Sequence, residues 1–289
     1  MQRFVAATDF SRHASWAAQR AAQLAAQHGT QLELLHVVGE AQLSALREVL
    51  QAKPEGVANL VEDVRHTLKD AAAALAKATG ASVVPRVEIG DAQDVIAQQC
   101  SDADLLVLGA RGTSPLRDAI LGTTAERLLG RCSRPMLIVK RRPARRYEQV
   151  LVALDFSPAS EGALRASLRL APQAALTAVH AYDVPFEGKL RLAGVEEQAI
   201  DAYRFRAAEK AIAEIRALGQ RISGEQARVA HKVGQGYPAH LILEQEQARR
   251  ADLIVLGKQR RPVVQEFLLG RVARHVLADS RSDLLVVPT

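Results

Sequence analysis

Three glycines and two threonines carry the strongest chemical signal in this sequence. Gly109 and Gly112 follow an apolar run, and Gly122-Thr123-Thr124 begins after nine intervening residues, a spacing of Gly-x2-Gly-x9-Gly-Thr. Glycines at a strand's end let a flat ligand group approach the backbone and permit positive φ. A third glycine, followed by hydroxyl residues at a helix start, leaves free N–H groups beside the positive end of the helix dipole. That arrangement suits phosphate. Two such glycines alone read as turn residues; the third, at this spacing, reverses the preference. Thr123 and Glu126 also spell Thr-x-x-Glu, a capping box, so the Thr123 hydroxyl has a helical use as well as a ligand use. The pattern is not a Walker A motif, because no Gly-Lys-Ser/Thr occurs, and no GxGxxG follows the first strand.

Two copies of one domain must position these residues. Ala7-Thr8-Asp9-Phe10-Ser11 returns 146 residues later as Ala153-Leu154-Asp155-Phe156-Ser157. Ala103-Asp104-Leu105-Leu106-Val107-Leu108-Gly109 returns 148 residues later as Ala251-Asp252-Leu253-Ile254-Val255-Leu256-Gly257, and Gly122 returns as Gly270. Leu34-Leu35-His36-Val37 is echoed by Ala178-Val179-His180-Ala181. Matches in one order at an offset near half the chain predict a tandem duplication, with domains over 1–141 and 147–289.

Each copy alternates strands with helices. In the first, a strand over Arg3–Ala7 leads to Ser11 as N-cap of an Ala-rich helix reaching His28. A strand over Gln31–Val38, helices over Gln42–Ala52 and Val57–Thr79, and a strand over Ser82–Ile89 follow. Then come a helix over Gln93–Gln99, a strand over Asp104–Gly109, a helix over Thr124–Gly130 and a strand over Met136–Lys140. Runs such as Leu105–Leu108 lack polar alternation and predict strands buried on both faces, as in a parallel sheet covered by helices. The expected fold is α/β, with two doubly wound parallel-sheet domains of five strands each. In such sheets ligands bind beyond the carboxyl ends of strands, near the switch in strand order. Asp183–Gly194, with Pro185, Gly188 and Gly194, reads as a long loop near the mouth of the second pocket.

The composition, 48% hydrophobic and 24% charged, is that of an ordinary globular protein and excludes disordered and collagenous classes. Of the net charge of +6, five positive charges sit in Lys140-Arg141-Arg142-Pro143-Ala144-Arg145-Arg146, without which the balance is +1. The stretch reads as a solvated linker between the copies, so nucleic acid is not an expected partner. Cys100 and Cys132, 32 residues apart and without metal-ligand spacing, suit a reducing compartment and argue against a disulfide, with Cys132 a buried helix residue. The eight histidines, His36 and His180 included, read as core or surface residues. No apolar run reaches the roughly 18 residues of a membrane span, and no signal-peptide layout is present. A soluble, cytoplasmic protein is expected.

The glycine pattern resembles the ATP-binding signature of the universal stress protein family. The opening Asp9, the strand Leu34–Val37 and the closing Arg134-Pro135-Met136-Leu137-Ile138-Val139 match that family as well, and the resemblance covers nearly the whole chain as a tandem. It implies a Rossmann-like fold of the adenine nucleotide alpha hydrolase-like kind. It also implies adenine near Asp9 and the Val37 backbone, ribose against Gly109 and Gly112, and phosphates against Gly122, Thr123 and Thr124. Mg or another divalent cation would accompany the ATP, and Thr8 and Arg111 would line the pocket. A phosphate contact by Arg111 follows from guanidinium geometry and not from the signature. In this family the last strands commonly pair domains, which makes Met136–Lys140 and Leu284–Val287 the candidates.

The second copy departs from the signature. Arg260 replaces the second glycine, Arg271 follows Gly270, and Val272 stands where the first copy has Thr124. An arginine Cβ and side chain where backbone should touch ribose, and a cation in the first helical turn, predict a degenerate ATP site. Lys258, Arg260, Arg261 and Arg271 could still draw another anion. The reading is an ATP-binding stress or regulatory protein acting through an unidentified protein partner. No catalytic residue stands out, so at most weak ATPase activity is expected. The alternatives are a non-catalytic scaffold of paired domains and a slow nucleotide hydrolase or transferase, and homodimerisation is left open.

Overall fold

The computed structural model describes residues 2–50, 54–112, 122–224, 229–259 and 270–289, and it divides into two compact units that meet in sequence at Arg146 and Tyr147. The first unit contains β1 (Arg3–Ala7), α1 (Arg12–His28), β2 (Gln31–Val38), α2 (Glu40–Leu50) and α3 (Pro54–Thr79). It continues with β3 (Ser82–Ile89), α4 (Ala92–Cys100), β4 (Leu105–Gly109), α5 (Thr123–Arg131) and β5 (Met136–Val139). Local chemistry sets the element ends. The Ser11 hydroxyl accepts from the Ala14 N–H at 3.2 Å to cap α1, and Gly29, at φ +60°, closes it. Asp91 caps α4 by accepting from the N–H groups of Gln93 and Asp94.

The strands run parallel in the order β3-β2-β1-β4-β5. The order reverses between β1 and β4, so the loops leaving these two neighbours open side by side at the carboxyl edge, as sheets of this type require for a ligand crevice. Leu105–Leu108 is buried throughout, because helices cover the sheet: α1 packs with α3, and α4 with α5. The buried face of α1 is almost all alanine (Ala14, Ala17, Ala18, Ala21, Ala22 and Ala25), which lets its backbone come close to β1 and β4.

The second unit repeats the plan with β6 (Gln149–Ala153), α6 (Pro158–Leu170), β7 (Ala175–Tyr182), α7 (Glu187–Leu192) and α8 (Glu197–Ser223). β8 (Ala230–Gln235), α9 (Pro238–Arg249), β9 (Leu253–Lys258) and α10 (Arg271–Asp279) follow, and of the last strand, β10 (Asp283–Pro288), only the end from Val287 counts with the second unit. β9, β6, β7 and β8 lie side by side and parallel. The repeated Ala-Asp-Leu motif has a plain structural role. Asp104 accepts from the Arg3 N–H at 3.2 Å, and Asp252 accepts from the N–H groups of Glu148 and Gln149, so each ties the start of its unit's first strand.

Asp283–Val286 belongs to the first compact unit, where it runs antiparallel beside β5 with Leu284 opposite Ile138 and Val286 opposite Met136. Asp283 is fully buried there. Its Oδ1 accepts from the Lys140 N–H at 2.9 Å, and its Oδ2 lies 3.6 Å from the Nε of the buried Arg20. Arg20 also donates to the Arg145 carbonyl at 2.7 Å. The basic junction therefore has exposed side chains at Arg141, Arg142, Arg145 and Arg146 on a backbone that the fold holds in place.

Two expectations need correction. The segment Asp183–Gly194 is not a loop throughout, since it contains α7. Pro185 and Gly188 signal turns locally, but Glu187 accepts from Gln235 at 2.6 Å and pairs with Arg204 of α8 and with Arg191, and these contacts hold the helix. Cys100 and Cys132 are bonded to each other, with their Cα atoms 7.0 Å apart. Separation along the chain concealed that α4 and α5 end side by side, and Cys132 is the C-cap residue of α5 and not part of the helix. No described helix is long and apolar enough to cross a membrane.

Candidate functional site

The crevice between the β1 and β4 ends is built on a pinned turn. Thr8 donates its N–H to the Leu35 carbonyl at 2.9 Å, and its hydroxyl accepts from the Phe10 N–H at 3.1 Å. Asp9 Oδ1 accepts from the Ser11 N–H at 3.0 Å, an Asx turn. Phe10 has φ +61°, a left-handed conformation that costs a non-glycine residue, and its ring lies 4.5 Å from that of His36. His36 Nδ1 is 2.7 Å from the Thr8 carbonyl, which can only accept, so Nδ1 carries the proton. The second unit repeats the device: Phe156 has φ +61°, its ring is 4.5 Å from that of His180, and His180 Nδ1 donates to the Leu154 carbonyl at 2.8 Å. His36 and His180 are thus supports of the turn. The sequence carried a trace of this, because both members of each pair recur at equivalent places.

The three glycines have three different physical reasons. A Cβ on Gly109 would meet the backbone of His13 and Ala14 at 2.7–2.8 Å, so Gly109 is required by the close approach of α1. A Cβ on Gly257 would strike the backbone of Ala159 and Ser160 in the same way, which explains its retention in a copy where Arg260 replaces the next glycine. A Cβ on Gly112 would lie 2.7 Å from Asp9 Oδ2, so the turn after β1 and the turn after β4 touch at this carboxylate. Gly122 differs from both. Its φ of −61° and ψ of 141° suit any residue, and the nearest atom to an added Cβ would be the Gly112 nitrogen at an ordinary 3.5 Å. Neither its backbone conformation nor its packing against the described residues demands a glycine at 122.

Gly122 is the N-cap of α5, its N–H bonded to the Ala110 carbonyl at 2.8 Å, and no side chain caps the helix. The capping box does not form. Thr123 sits one residue inside the helix, so its hydroxyl is not in the capping position, and the N-cap offers the first N–H groups of α5 no side-chain acceptor. Thr123 is exposed and Thr124 half-buried. Val37 lies near the end of β2, paired with Glu88 of β3. The structure thus gathers Thr8, Asp9, Gly109, Arg111, Gly112, Gly122 and the start of α5 at one edge of the sheet, with Val37 one strand away. Thr113 lies outside the described residues.

The first turn of α1 adds residues that the sequence did not single out. Arg12 lies over the Trp16 ring at 4.8 Å, and the His13 ring stands edge-on to Trp16 at 4.8 Å. Partial burial, followed by the Arg12 and Arg111 guanidiniums, holds the His13 imidazole below its ordinary value of 6.5, and Asp9 acts in the opposite direction. A cationic rim of Arg12 and Arg111 therefore stands beside the Asp9 carboxylate. The equivalent positions of the second unit are Pro158, Ala159, Gly162 and Gln259, which have neither the charge nor the indole. Gly270 again begins its helix without a side-chain cap, but Arg271 follows it. Arg260 and Arg261 lie outside the described residues. No cluster of three His, Cys, Asp or Glu side chains able to hold a metal ion occurs among the described residues.

Comparison with known proteins gives a consistent assignment. The sequence model of the universal stress protein family matches residues 1–140 and again 146–288. The chain is similar to a universal stress protein of Mycolicibacterium smegmatis, at 26% identity over 298 residues, covering 96% of this chain and 94% of that protein. It is also similar to one of Mycobacterium tuberculosis, at 29% identity over 198 residues, 64% of this chain and 62% of that protein. A solved universal stress protein from Archaeoglobus fulgidus aligns over 99% of this chain and 98% of its own, with a TM-score of 0.74 and 17% identity. That likeness is one of fold.

Proposed function

The chain belongs to the universal stress protein family, and from its first site we propose that it is a regulatory protein that binds one ATP per chain, in the first unit. Gly122 carries this reading. The described residues make no demand for a glycine there, yet a Cβ would stand at the mouth of a helix N-terminus that no described side chain caps, where a phosphate needs backbone contact. Adenine lies near Asp9 and the Val37 backbone, ribose against Gly112, and the phosphates against Gly122, Thr123 and Thr124. Arg111 and Arg12 provide charge at the rim. A divalent cation arrives with the phosphates, since the described side chains offer no metal cluster of their own. The second unit keeps the turn and its carboxylate but not the rim, so it does not contribute a second ATP. Occupancy of the first site changes how the protein meets a protein partner.

Calorimetry with ATP-Mg on the full chain and on Gly122→Val tests this. A stoichiometry near one is expected, with affinity reduced about tenfold or more in the variant while its melting temperature is unchanged. Absence of heat with the wild-type chain overturns the proposal. A stoichiometry of two overturns the assignment to one unit.

A further inference from the structure

We infer that Cys100 and Cys132 form a reversible dithiol–disulfide site that clasps the C-terminal end of α5 in the first unit and so governs the order of that helix. The two sulfurs are brought together by contacts other than their own bond. Arg131 pairs with Asp94 of α4 at 2.7 Å, Arg127 donates to Gln93 at 3.3 Å, and Arg134 donates to the carbonyl of Ser101, the residue after Cys100, at 2.7 Å. The first two tie α5 to the first turn of α4 and the third holds the loop after α5 at the end of α4, whether or not the sulfurs are joined, so reduction leaves the thiols facing each other.

The second unit secures the same place without sulfur. At the repeat offset, Cys100 and Cys132 correspond to Ala248 and Ser280. There the Glu246 carboxylate of α9 accepts from the N–H groups of Arg281 and Ser282 and from the Ser282 hydroxyl, at 2.8, 2.6 and 2.6 Å. Each unit thus anchors the end of its last helix, one by buried hydrogen bonds that do not respond to oxidants and the other by a bond that does. α5 has only nine residues, and beside its buried Ala125, Leu128 and Leu129 its other ties to α4 are exposed polar contacts of small worth, so the bond between the sulfurs is a large part of what orders its end.

Both cysteines are buried, Cys132 the less deeply at 8% against 1%, so its sulfur is assigned as the first to be oxidised. With a peroxide, the Cys132 thiolate attacks one oxygen, the O–O bond breaks, and the departing hydroxide takes a proton to leave as water. The Cys100 thiolate then attacks the Cys132 sulfenic sulfur, the S–O bond breaks, and a second water leaves. Two thiols have lost two electrons and two protons, and the peroxide has gained them. A dithiol reductant reverses the step by exchange and leaves as its own disulfide.

The test compares the full chain treated with hydrogen peroxide and with dithiothreitol. After peroxide, denatured protein is expected to be lighter by two hydrogens and to take up no maleimide; after dithiothreitol, both cysteines are labelled. Amide exchange over Thr123–Arg131 is expected to be about tenfold faster in the reduced form, with Arg271–Asp279 unchanged. Cys132→Ser is expected to exchange like the reduced form under both treatments. Should that variant not fold, the two redox forms of the wild type decide the matter. Full labelling after peroxide, or equal exchange of α5 in both forms, overturns the proposal. Any effect of the clasp on ATP rests on the function proposed above. If neither form binds ATP that function fails, and labelling and exchange still decide the clasp.

Discussion

Gly112 lies against the Asp9 carboxylate so closely that a Cβ at 112 would stand 2.7 Å from Oδ2, although the two residues are more than a hundred positions apart. Asp9 cannot simply turn aside, because its other oxygen holds the Ser11 N–H. Gly112→Ala must therefore displace the carboxylate or the β4 turn. Its affinity for ATP, measured by calorimetry, is expected to fall about tenfold, while the melting temperature moves by only a few degrees.

Gly109 and Gly257 make a matched pair for separating packing from binding. Each faces the backbone of a helix's first turn, so alanine at either position forces α1 or α6 off its sheet. Each substitution is expected to cost about 1–3 kcal/mol, read by urea denaturation of the full chain. Because the cost is steric, Gly257→Ala is expected to be as damaging as Gly109→Ala, although no nucleotide is assigned to the second unit. A neutral Gly257→Ala would refute the packing role.

The buried pair of Arg20 and Asp283 predicts a large asymmetry between single and double substitution. Asp283→Ala leaves the Arg20 guanidinium buried beside a lost anion and strips the Lys140 N–H of its acceptor, at an expected cost of about 3–5 kcal/mol. Arg20→Met with Asp283→Leu removes both charges and is expected to recover a good part of that loss. Equilibrium unfolding of the three variants checks the order.

Asp155 gives a pH dependence with a definite sign. Burial opposes its ionisation, but hydrogen bonds from the Ser157 hydroxyl and N–H prevail and hold the carboxyl below its ordinary 3.8. A lowered carboxyl stabilises the fold above its unfolded value, and that contribution disappears as pH falls through the lower folded value. Asp155→Asn is expected to be less stable than wild type at neutral pH, with the gap closing in acid below the ordinary carboxylate range. A gap that stays constant from neutral to strongly acid pH would contradict this.

The features legible in advance were those whose cause is short in sequence. Ser11 caps α1 through a bond three residues long, and the unbroken apolar run Leu105–Leu108 is that of a strand covered on both faces. The two copies of Asp-Phe-Ser and of Ala-Asp-Leu announced the tandem. The site was legible as a spacing of glycines, but not as a division of labour among them. Only the distance from Gly109 to α1, from Gly112 to Asp9, and the ordinary 3.5 Å spacing at Gly122 separate the packing glycine, the carboxylate contact and the one on which the described residues place no demand. The Thr-x-x-Glu box failed because Gly122 took the cap position. α7 formed against its Pro and Gly because Arg204, 17 residues beyond Glu187, supplied a partner.

The sequence by itself therefore determined the duplication, the order of strands and helices, and which copy retains the signature, since repeats, caps and hydrophobic runs act over a few neighbouring residues. Tertiary structure alone decided what meets what. Parallel strand order places the turn after β1 beside the turn after β4, the packing of α4 on α5 joins Cys100 to Cys132, and the antiparallel β10 buries Asp283 against Arg20, pairs separated by 32 to 263 residues of chain. Such contacts depend on how packed layers bring distant segments to the same edge, and no local propensity records that.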